Sequence, residues 1–120
     1  MDKKVTKNLD GQTLLVNLWT PQVFNSRLIS IEYITKVLNE LTKIIDAKKM
    51  EQHVYQFPDK KGITGVQIIA ESHIFIHTWP ELDYVRVEIS SCKFFDIKII
   101  DRLKELFDAK QIQYECHRWF

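Results

Sequence analysis

Hydrophobic residues recur along this chain with two spacings, one typical of α-helices and the other of β-strands. Apolar positions three or four residues apart predict a helix with Ser30 as its N-cap, and a second helix over about 97–107 capped by Asp96. Short apolar or alternating runs that end at turn residues predict strands. Six such runs are present, over 14–19, 52–57, 64–70, 73–78, 84–90 and 111–116.

The order of these elements predicts the fold. Short turns between consecutive strands indicate an antiparallel sheet, and two amphipathic helices indicate a layer that covers one of its faces. The predicted fold class is therefore α+β, a two-layer sandwich of an antiparallel β-sheet with two helices on one face. At 120 residues the chain is long enough for one core but not two, so we expect a single domain over 1–120.

Alternation along two of the strands predicts which side chains share a sheet face. The aliphatic set comprises Ile74, Ile76, Val85, Val87 and Ile89. If these side chains contact the helices, His77 and Cys92 lie together on the opposite, open face. That face is expected to form a ligand cleft or a subunit interface.

Composition and charge narrow the classes of function. The chain has 17 basic and 16 acidic side chains and a formal net charge of +1, with neither sign concentrated in one segment. Nucleic-acid binding requires a concentrated basic face, so no nucleic-acid partner is expected. No apolar run is long enough for a membrane span, and residues 1–8 show no export signal or anchor. We therefore expect a cytoplasmic protein without a membrane partner.

The cysteines and histidines do not predict a disulfide or a metal site. Cys92 and Cys116 are expected to be thiols, because disulfides are rare in chains that are not exported. His73 and His77 are four residues apart on a predicted strand, a separation of about 13 Å at ~3.3 Å per residue. A helical two-histidine zinc site is therefore disfavoured, and no metal is expected.

The candidate chemistry is concentrated in residues 70–81, AESHIFIHTWPE, which follow Gly62-Ile63-Thr64-Gly65-Val66. Cys92 lies fifteen residues beyond His77. Each residue alone has an ordinary structural explanation, but the joint spacing does not. In these motifs, and in element order over nearly its whole length, the chain resembles the small prokaryotic type of S-adenosylmethionine decarboxylase, a pyruvoyl-dependent enzyme of spermidine synthesis.

The resemblance implies that the chain cuts itself between 71 and 72, giving chains of residues 1–71 and 72–120. Ser72 Oγ attacks the carbonyl carbon of Glu71, and elimination from the ester leaves a residue that hydrolyses to a pyruvoyl group. That group forms a Schiff base with an amino-acid-type substrate and makes pyridoxal phosphate unnecessary. By the same resemblance, His77 is the processing base, Thr64 assists it, and Cys92 protonates the α-carbon of the substrate.

This chemistry sets geometric expectations. The attack requires a strained, exposed bend at the Glu71–Ser72 bond, with donors for the developing oxyanion. Ser72 and His77 have opposite parity on a regular strand, so their use in one site also requires a bend. Glu81 and Phe75 are candidate substrate contacts, since a flat ring can stack on an adenine.

Three hypotheses stay open. The first is the processed decarboxylase of S-adenosylmethionine. The second keeps the pyruvoyl chemistry but changes the substrate to arginine or ornithine, because Ser90-Ser91 and Lys93-Phe94-Phe95 around Cys92 depart from the family pattern. The third is an unprocessed, non-catalytic relative that binds a ligand or partner. For either enzyme, the resemblance implies a homodimer of processed protomers that pair through the open face.

Overall fold

The structure, a computed structural model, describes residues 10–119. The N-terminal segment, in which the sequence predicts no export signal, lies outside the described residues. Six strands and three α-helices follow one another in the order β1, α1, α2, β2, β3, β4, β5, α3, β6. The strands are β1 (Gln12–Trp19), β2 (Lys48–Gln56), β3 (Ile63–Ala70), β4 (Ser72–Trp79), β5 (Tyr84–Ser91) and β6 (Gln111–Arg118). The α-helices are α1 (Asn25–Leu28), α2 (Ile31–Ile44) and α3 (Ile99–Leu106).

All six strands form a single sheet in the order β2-β3-β4-β5-β1-β6. Each neighbouring pair is antiparallel. The register of β4 against both neighbours is continuous, so that His77 pairs with Thr64 of β3 on one side and with Arg86 of β5 on the other. The predicted α+β fold with an antiparallel sheet is confirmed. Five of the six predicted strands lie within observed ones, and the strand predicted over 52–57 extends one residue beyond the end of β2.

The two longer helices pack their apolar stripes on one face of the sheet. The aliphatic side chains that parity assigned to this face are all 0% exposed: Ile74, Ile76, Val85, Val87 and Ile89. Gly65 allows close packing of α2, since a Cβ atom there would lie 3.0 Å from Leu38 Cδ1 and 3.3 Å from Ile34 Cγ2. The polar and aromatic face of β4 and β5 is therefore the open face, as predicted.

The cap predicted for the start of α2 is observed, and the cap predicted for the start of α3 is not. Ser30 caps α2 as predicted, because its hydroxyl accepts a hydrogen bond from the backbone N–H of Tyr33 at 3.0 Å. The prediction that Asp96 caps the second long helix was wrong. Asp96 Oδ1 instead accepts from the N–H of Lys98 at 2.9 Å, within tight turns that precede α3. The helix therefore begins at Ile99, two residues later than expected.

The sequence shows no periodic pattern of apolar residues over three short elements. A 3₁₀ turn over Gln22–Phe24 leads into the four-residue α1, and a second 3₁₀ turn covers Pro80–Leu82. Elements of one turn cannot show a repeat of 3.6 residues. The 3₁₀ turn over Pro80–Leu82 joins β4 to β5 at the position where a turn was predicted. Within residues 10–119, no helix is both long and apolar enough to cross a membrane.

Candidate functional site

The open face of the sheet carries a continuous ladder of rings along β4. Successive ring centroids are 4.9 Å apart for His73 and Phe75, 5.7 Å for Phe75 and His77, and 5.8 Å for His77 and Trp79. Trp79 continues the ladder to Tyr84 on β5 at 5.2 Å. These rings are half-buried. Strand alternation places them on one face, and their size makes that face a largely aromatic surface.

The Glu71–Ser72 bond lies at the tip of the hairpin between β3 and β4. Glu71 is the only residue between the two strands and is exposed, while Ser72 is half-buried and pairs with Ile69 and Ser91. Ser72 has a φ of 142°, a backbone conformation that residues with side chains rarely adopt. Strain of this kind costs of order 1–3 kcal/mol and concentrates at functional sites. The expected exposed and strained bend is therefore present at this bond.

Cys92 contacts the same bond through its backbone. It follows directly after β5, whose pairing with β4 brings Ser91 opposite Ser72. The N–H of Cys92 donates a hydrogen bond to the carbonyl oxygen of Glu71 at 3.1 Å. This donor points at the oxygen on which negative charge would develop if Ser72 attacked the carbonyl carbon. Glu71, Ser72 and Cys92 thus form one cluster at this end of the sheet.

His77 and Thr64 form a second cluster further along β4. They are cross-strand partners, and Thr64 Oγ1 lies 3.2 Å from His77 Nδ1. Burial lowers the pKa of the His77 imidazole below its usual value of 6.5, and the positive charge of Arg86 lowers this pKa further, while Glu88 opposes the shift. The imidazole is therefore kept neutral at physiological pH, the form that can accept a proton.

The two clusters are separated within one protomer. Ser72 and His77 are five positions apart on the strand, which corresponds to ~16 Å at ~3.3 Å per residue. The register against β3 runs from Ser72 to His77 and the register against β5 from Ser72 to Trp79, both without a shift, so β4 does not bend between the two clusters. The bend at Ser72 changes the local backbone but does not bring His77 to the serine. A second chain would be needed to bring the two clusters together.

A cleft of about 360 Å³ opens beside His77. It is lined by Thr64 and His77, by the rings of Phe57 and Trp79, and by Glu81. The predicted substrate contact Glu81 therefore lies in this cleft. Phe75, the other predicted contact, is not among the lining residues and packs within the ring ladder instead.

Phe57 was not selected from the sequence as a site residue. It closes the turn between β2 and β3, where its N–H donates to the carbonyl of Gly62 at 2.8 Å. The predicted hairpin between these strands could have identified Phe57. In an antiparallel pair, the partner of a residue just before the turn lies just after the turn, which here is directly before Thr64. The turn residues 58–62 place the ring beside the motif.

A larger cleft of about 570 Å³ lies on the same face, between β5, β1 and β6. It is lined by Asn17, Arg86 and Glu115 among others, and none of the predicted catalytic residues faces it. The smaller cleft is the one that holds the paired imidazole and hydroxyl. His73 and Glu88 form a neighbouring pair with Nε2 and Oε2 2.7 Å apart.

Metal and disulfide chemistry find no support in the part of the chain that the structure describes. Within residues 10–119, no three His, Cys, Asp or Glu side chains come close enough together to hold a metal ion. Cys92 is half-buried and Cys116 is exposed, and the two are not bonded to each other.

Comparisons with known proteins agree with this architecture. A family model described as S-adenosylmethionine decarboxylase matches residues 12–118. An S-adenosylmethionine decarboxylase proenzyme from Clostridium botulinum (strain Langeland) is 39% identical over 89 residues, covering 72% of this chain and 76% of that protein. A proenzyme of the same name from Thermomicrobium roseum is 29% identical over 82 residues, covering 68% of this chain and 67% of that protein.

A solved structure is similar over most of the chain. The crystal structure of the adenosylmethionine decarboxylase from Aquifex aeolicus VF5 superposes with a TM-score of 0.78 and 29% sequence identity. The match covers 92% of this chain and 91% of that one. Of the three hypotheses drawn from the sequence, the comparisons support the first.

Proposed function

Because the chain belongs to the S-adenosylmethionine decarboxylase family, we propose that it is a proenzyme that cleaves itself between Glu71 and Ser72 and then decarboxylates S-adenosylmethionine. The observation that carries the proposal is the geometry of this bond. Ser72 is held at a φ of 142°, and the carbonyl of Glu71 already accepts the N–H of Cys92 at 3.1 Å. A strained nucleophile beside a carbonyl with an oxyanion donor is the arrangement that acyl transfer requires.

The proposed cleavage proceeds in three steps. Ser72 Oγ forms a bond to the carbonyl carbon of Glu71, the C–N bond breaks, and the freed nitrogen takes the hydroxyl proton. A base then removes the α-proton of residue 72, and the carboxylate of Glu71 leaves with the ester oxygen. Water hydrolyses the resulting dehydroalanine, and ammonia is released. Residues 1–71 and 72–120 become separate chains, the second beginning with a pyruvoyl group.

His77 is the proposed base for the second step. With its proton on Nδ1, the imidazole donates to Thr64 Oγ1 and leaves Nε2 free to accept a proton. The contact with Thr64 fixes the orientation of the ring. Since Ser72 and His77 are ~16 Å apart along β4, the base for one serine must come from a second protomer.

The open face supplies the surface for this second protomer. The rings of the β4 ladder leave a half-buried aromatic area that a monomer would expose to water. We therefore propose a homodimer that pairs through this face, in which His77 and Thr64 of one protomer approach the Glu71–Ser72 bond of its partner. Each dimer then holds two sites.

The residues present fit the group that cleavage would produce. A pyruvoyl group at position 72 supplies an electron sink for the loss of carboxylate from an α-amino acid. Cys92 would then hold a proton on its thiol beside this position, ready for the α-carbon of the substrate. In the cleft of the facing protomer, Phe57 and Trp79 provide flat surfaces for the adenine, and the Glu81 carboxylate accepts hydrogen bonds from the ribose.

The cytoplasmic location stays a prediction.

The test of this function compares substrates and separates the two roles of Cys92. The purified chain is expected to release CO₂ from carboxyl-labelled S-adenosylmethionine and not from arginine or ornithine. The Cys92→Ala variant keeps its backbone N–H on Glu71 and is expected to cleave itself, while CO₂ release falls by a factor of about 10² or more, as for loss of a general acid. Turnover of arginine alone would replace the proposed substrate, and full activity of Cys92→Ala would remove the thiol from the mechanism.

The pH dependence of cleavage tests the role of His77. Because burial and Arg86 lower the pKa of His77, its neutral form persists below pH 6.5, and the cleavage rate should fall only at more acidic pH. The Arg86→Gln variant removes one of these causes, so its rate should begin to fall at a higher pH than that of the wild type. The matched control is Arg102→Gln, which loses a surface arginine paired with Glu40 and should keep the wild-type profile. A profile unchanged by Arg86→Gln would contradict His77 as the base.

A further inference from the structure

We infer that Gln12, at the start of β1, is a positioning residue that holds the segment carrying Cys92 against the Glu71–Ser72 bond. The inference rests on the proposed function, since it concerns the geometry of the same bond. Gln12 does not touch the reacting atoms. It acts through the segment of residues 92–95, here called the Cys92 loop, which connects β5 to the turns before α3.

The side chain of Gln12 is directed into the core side of the sheet. It is 1% exposed, and Nε2 donates a hydrogen bond to the carbonyl oxygen of Phe95 at 2.6 Å. The two residues are 83 positions apart in sequence. The backbone of Gln12 also pairs with Ser91, the residue immediately before Cys92. One residue of β1 therefore contacts the chain on both sides of Cys92.

The Cys92 loop is fixed at both ends and exposed between them. At its start, the N–H of Cys92 is bound to the carbonyl of Glu71. At its end, Phe95 is 4% exposed, and its carbonyl is the one that Gln12 binds. Between them, Lys93 and Phe94 are exposed. A shift of the Phe95 end would therefore be transmitted to Cys92 through three peptide units.

Thr13, the next residue of β1, makes its contacts on the open face of the sheet. Thr13 Oγ1 lies 2.9 Å from Ser90 Oγ, two residues before Cys92, and accepts a hydrogen bond from Trp119 Nε1 at 2.8 Å. The strand that leads into the loop is thus fixed from the open face, while the far end of the loop is held from the core side by Gln12. The ring of Phe95 is also buried in the core, but the carboxamide of Gln12 is the contact that fixes the position of its carbonyl.

The chemistry of this contact explains why an amide is needed. A backbone carbonyl can only accept hydrogen bonds, so its partner must be an N–H or O–H group. An apolar side chain of the same length would fill the space but leave the carbonyl of Phe95 without its donor. The segment would then move until that oxygen reached water. A displacement of about 1 Å is enough to slow a reaction between positioned groups by about 10²-fold.

The test replaces Gln12 by a residue of the same length that lacks the donor. Gln12→Met is expected to cleave itself at least about tenfold more slowly than the wild type. The matched control is Gln52→Met, which removes another core-side glutamine whose Nε2 donates to Gln67 Oε1, three strands away from β5. The control should also lose thermal stability, because Gln67 Oε1 and Asn39 Oδ1 lose their donor, and it should cleave within about twofold of the wild type.

A second readout follows the position of the thiol without requiring cleavage. In a Ser72→Ala, Cys116→Ser background, only Cys92 can react with iodoacetamide. Adding Gln12→Met should raise its alkylation rate about threefold or more, because the loosened loop exposes the thiol, whereas Gln52→Met should leave that rate unchanged. If Gln12→Met does not fold, Gln12→Asn replaces it, since it keeps the amide but withdraws it by one methylene.

The outcomes separate this inference from the function on which it rests. If the wild type is not cleaved at all, the proposed function fails and the inference fails with it. If the wild type is cleaved and Gln12→Met matches Gln52→Met in both cleavage and alkylation, Gln12 has only a structural role and the inference is overturned. Slower cleavage with faster alkylation, specific to position 12, supports it.

Discussion

The Ser72→Ala variant is expected to remain one intact chain of 120 residues and to release no CO₂ from S-adenosylmethionine. Alanine supplies no hydroxyl to attack the carbonyl of Glu71, so the ester cannot form and no other residue can take its place at the hairpin tip. The measurement is a denaturing gel followed by intact mass spectrometry of the purified protein. The effect is the largest that we predict, because both self-processing and every later turnover depend on this oxygen.

The matched control is Ser26→Ala, which removes an exposed serine from α1. It is expected to give the same two chains as the wild type. If Ser72→Ala were cleaved between 71 and 72, the nucleophile would lie elsewhere. In that case the strained φ of residue 72 would need a different explanation.

Two inactive variants are expected to restore cleavage when they form one dimer. His77→Ala alone keeps the nucleophile but lacks the base, so its cleavage should slow by a factor of about 10²–10⁴. Ser72→Ala keeps the base but lacks the nucleophile. Since the two residues are ~16 Å apart along β4, a mixed dimer can combine Ser72 of one protomer with His77 of the other.

Co-expression of the two variants with different affinity tags measures this effect. The His77→Ala chain should be cleaved in the mixed dimer at a rate near that of the wild type, while the Ser72→Ala chain stays intact. His53→Ala, which changes an exposed histidine on β2, should be cleaved without a partner variant. An intact His77→Ala chain in a purified mixed dimer would show that the His77 of the partner does not serve as the base, and that His77 acts within its own protomer.

Much of the fold could be predicted from the sequence because its signals are local. Strand alternation around Ile74 and Val87 identified both faces of the sheet, and Ser30 capped α2 as its side-chain chemistry requires. The Asp96 cap failed because an aspartate can also accept a hydrogen bond within a tight turn, as it does from Lys98. Side-chain preference alone does not distinguish these two uses.

The site was less predictable, because its geometry depends on pairing between distant segments. The contact of Cys92 with Glu71 follows from the register of β4 against β5, which no local pattern contains. The bond from Gln12 to Phe95 spans 83 residues, and a lone glutamine at the start of a strand carries no signal of it. The separation of Ser72 from His77 required the observation that β4 is straight.

The most direct test of the central claim is the intact mass of the purified wild-type chain under denaturing conditions. We predict two chains, residues 1–71 and residues 72–120, with the second carrying a pyruvoyl group in place of serine and therefore resisting N-terminal Edman degradation. A single chain of 120 residues that persists on incubation, with serine at position 72, would contradict self-cleavage and the decarboxylase function that depends on it.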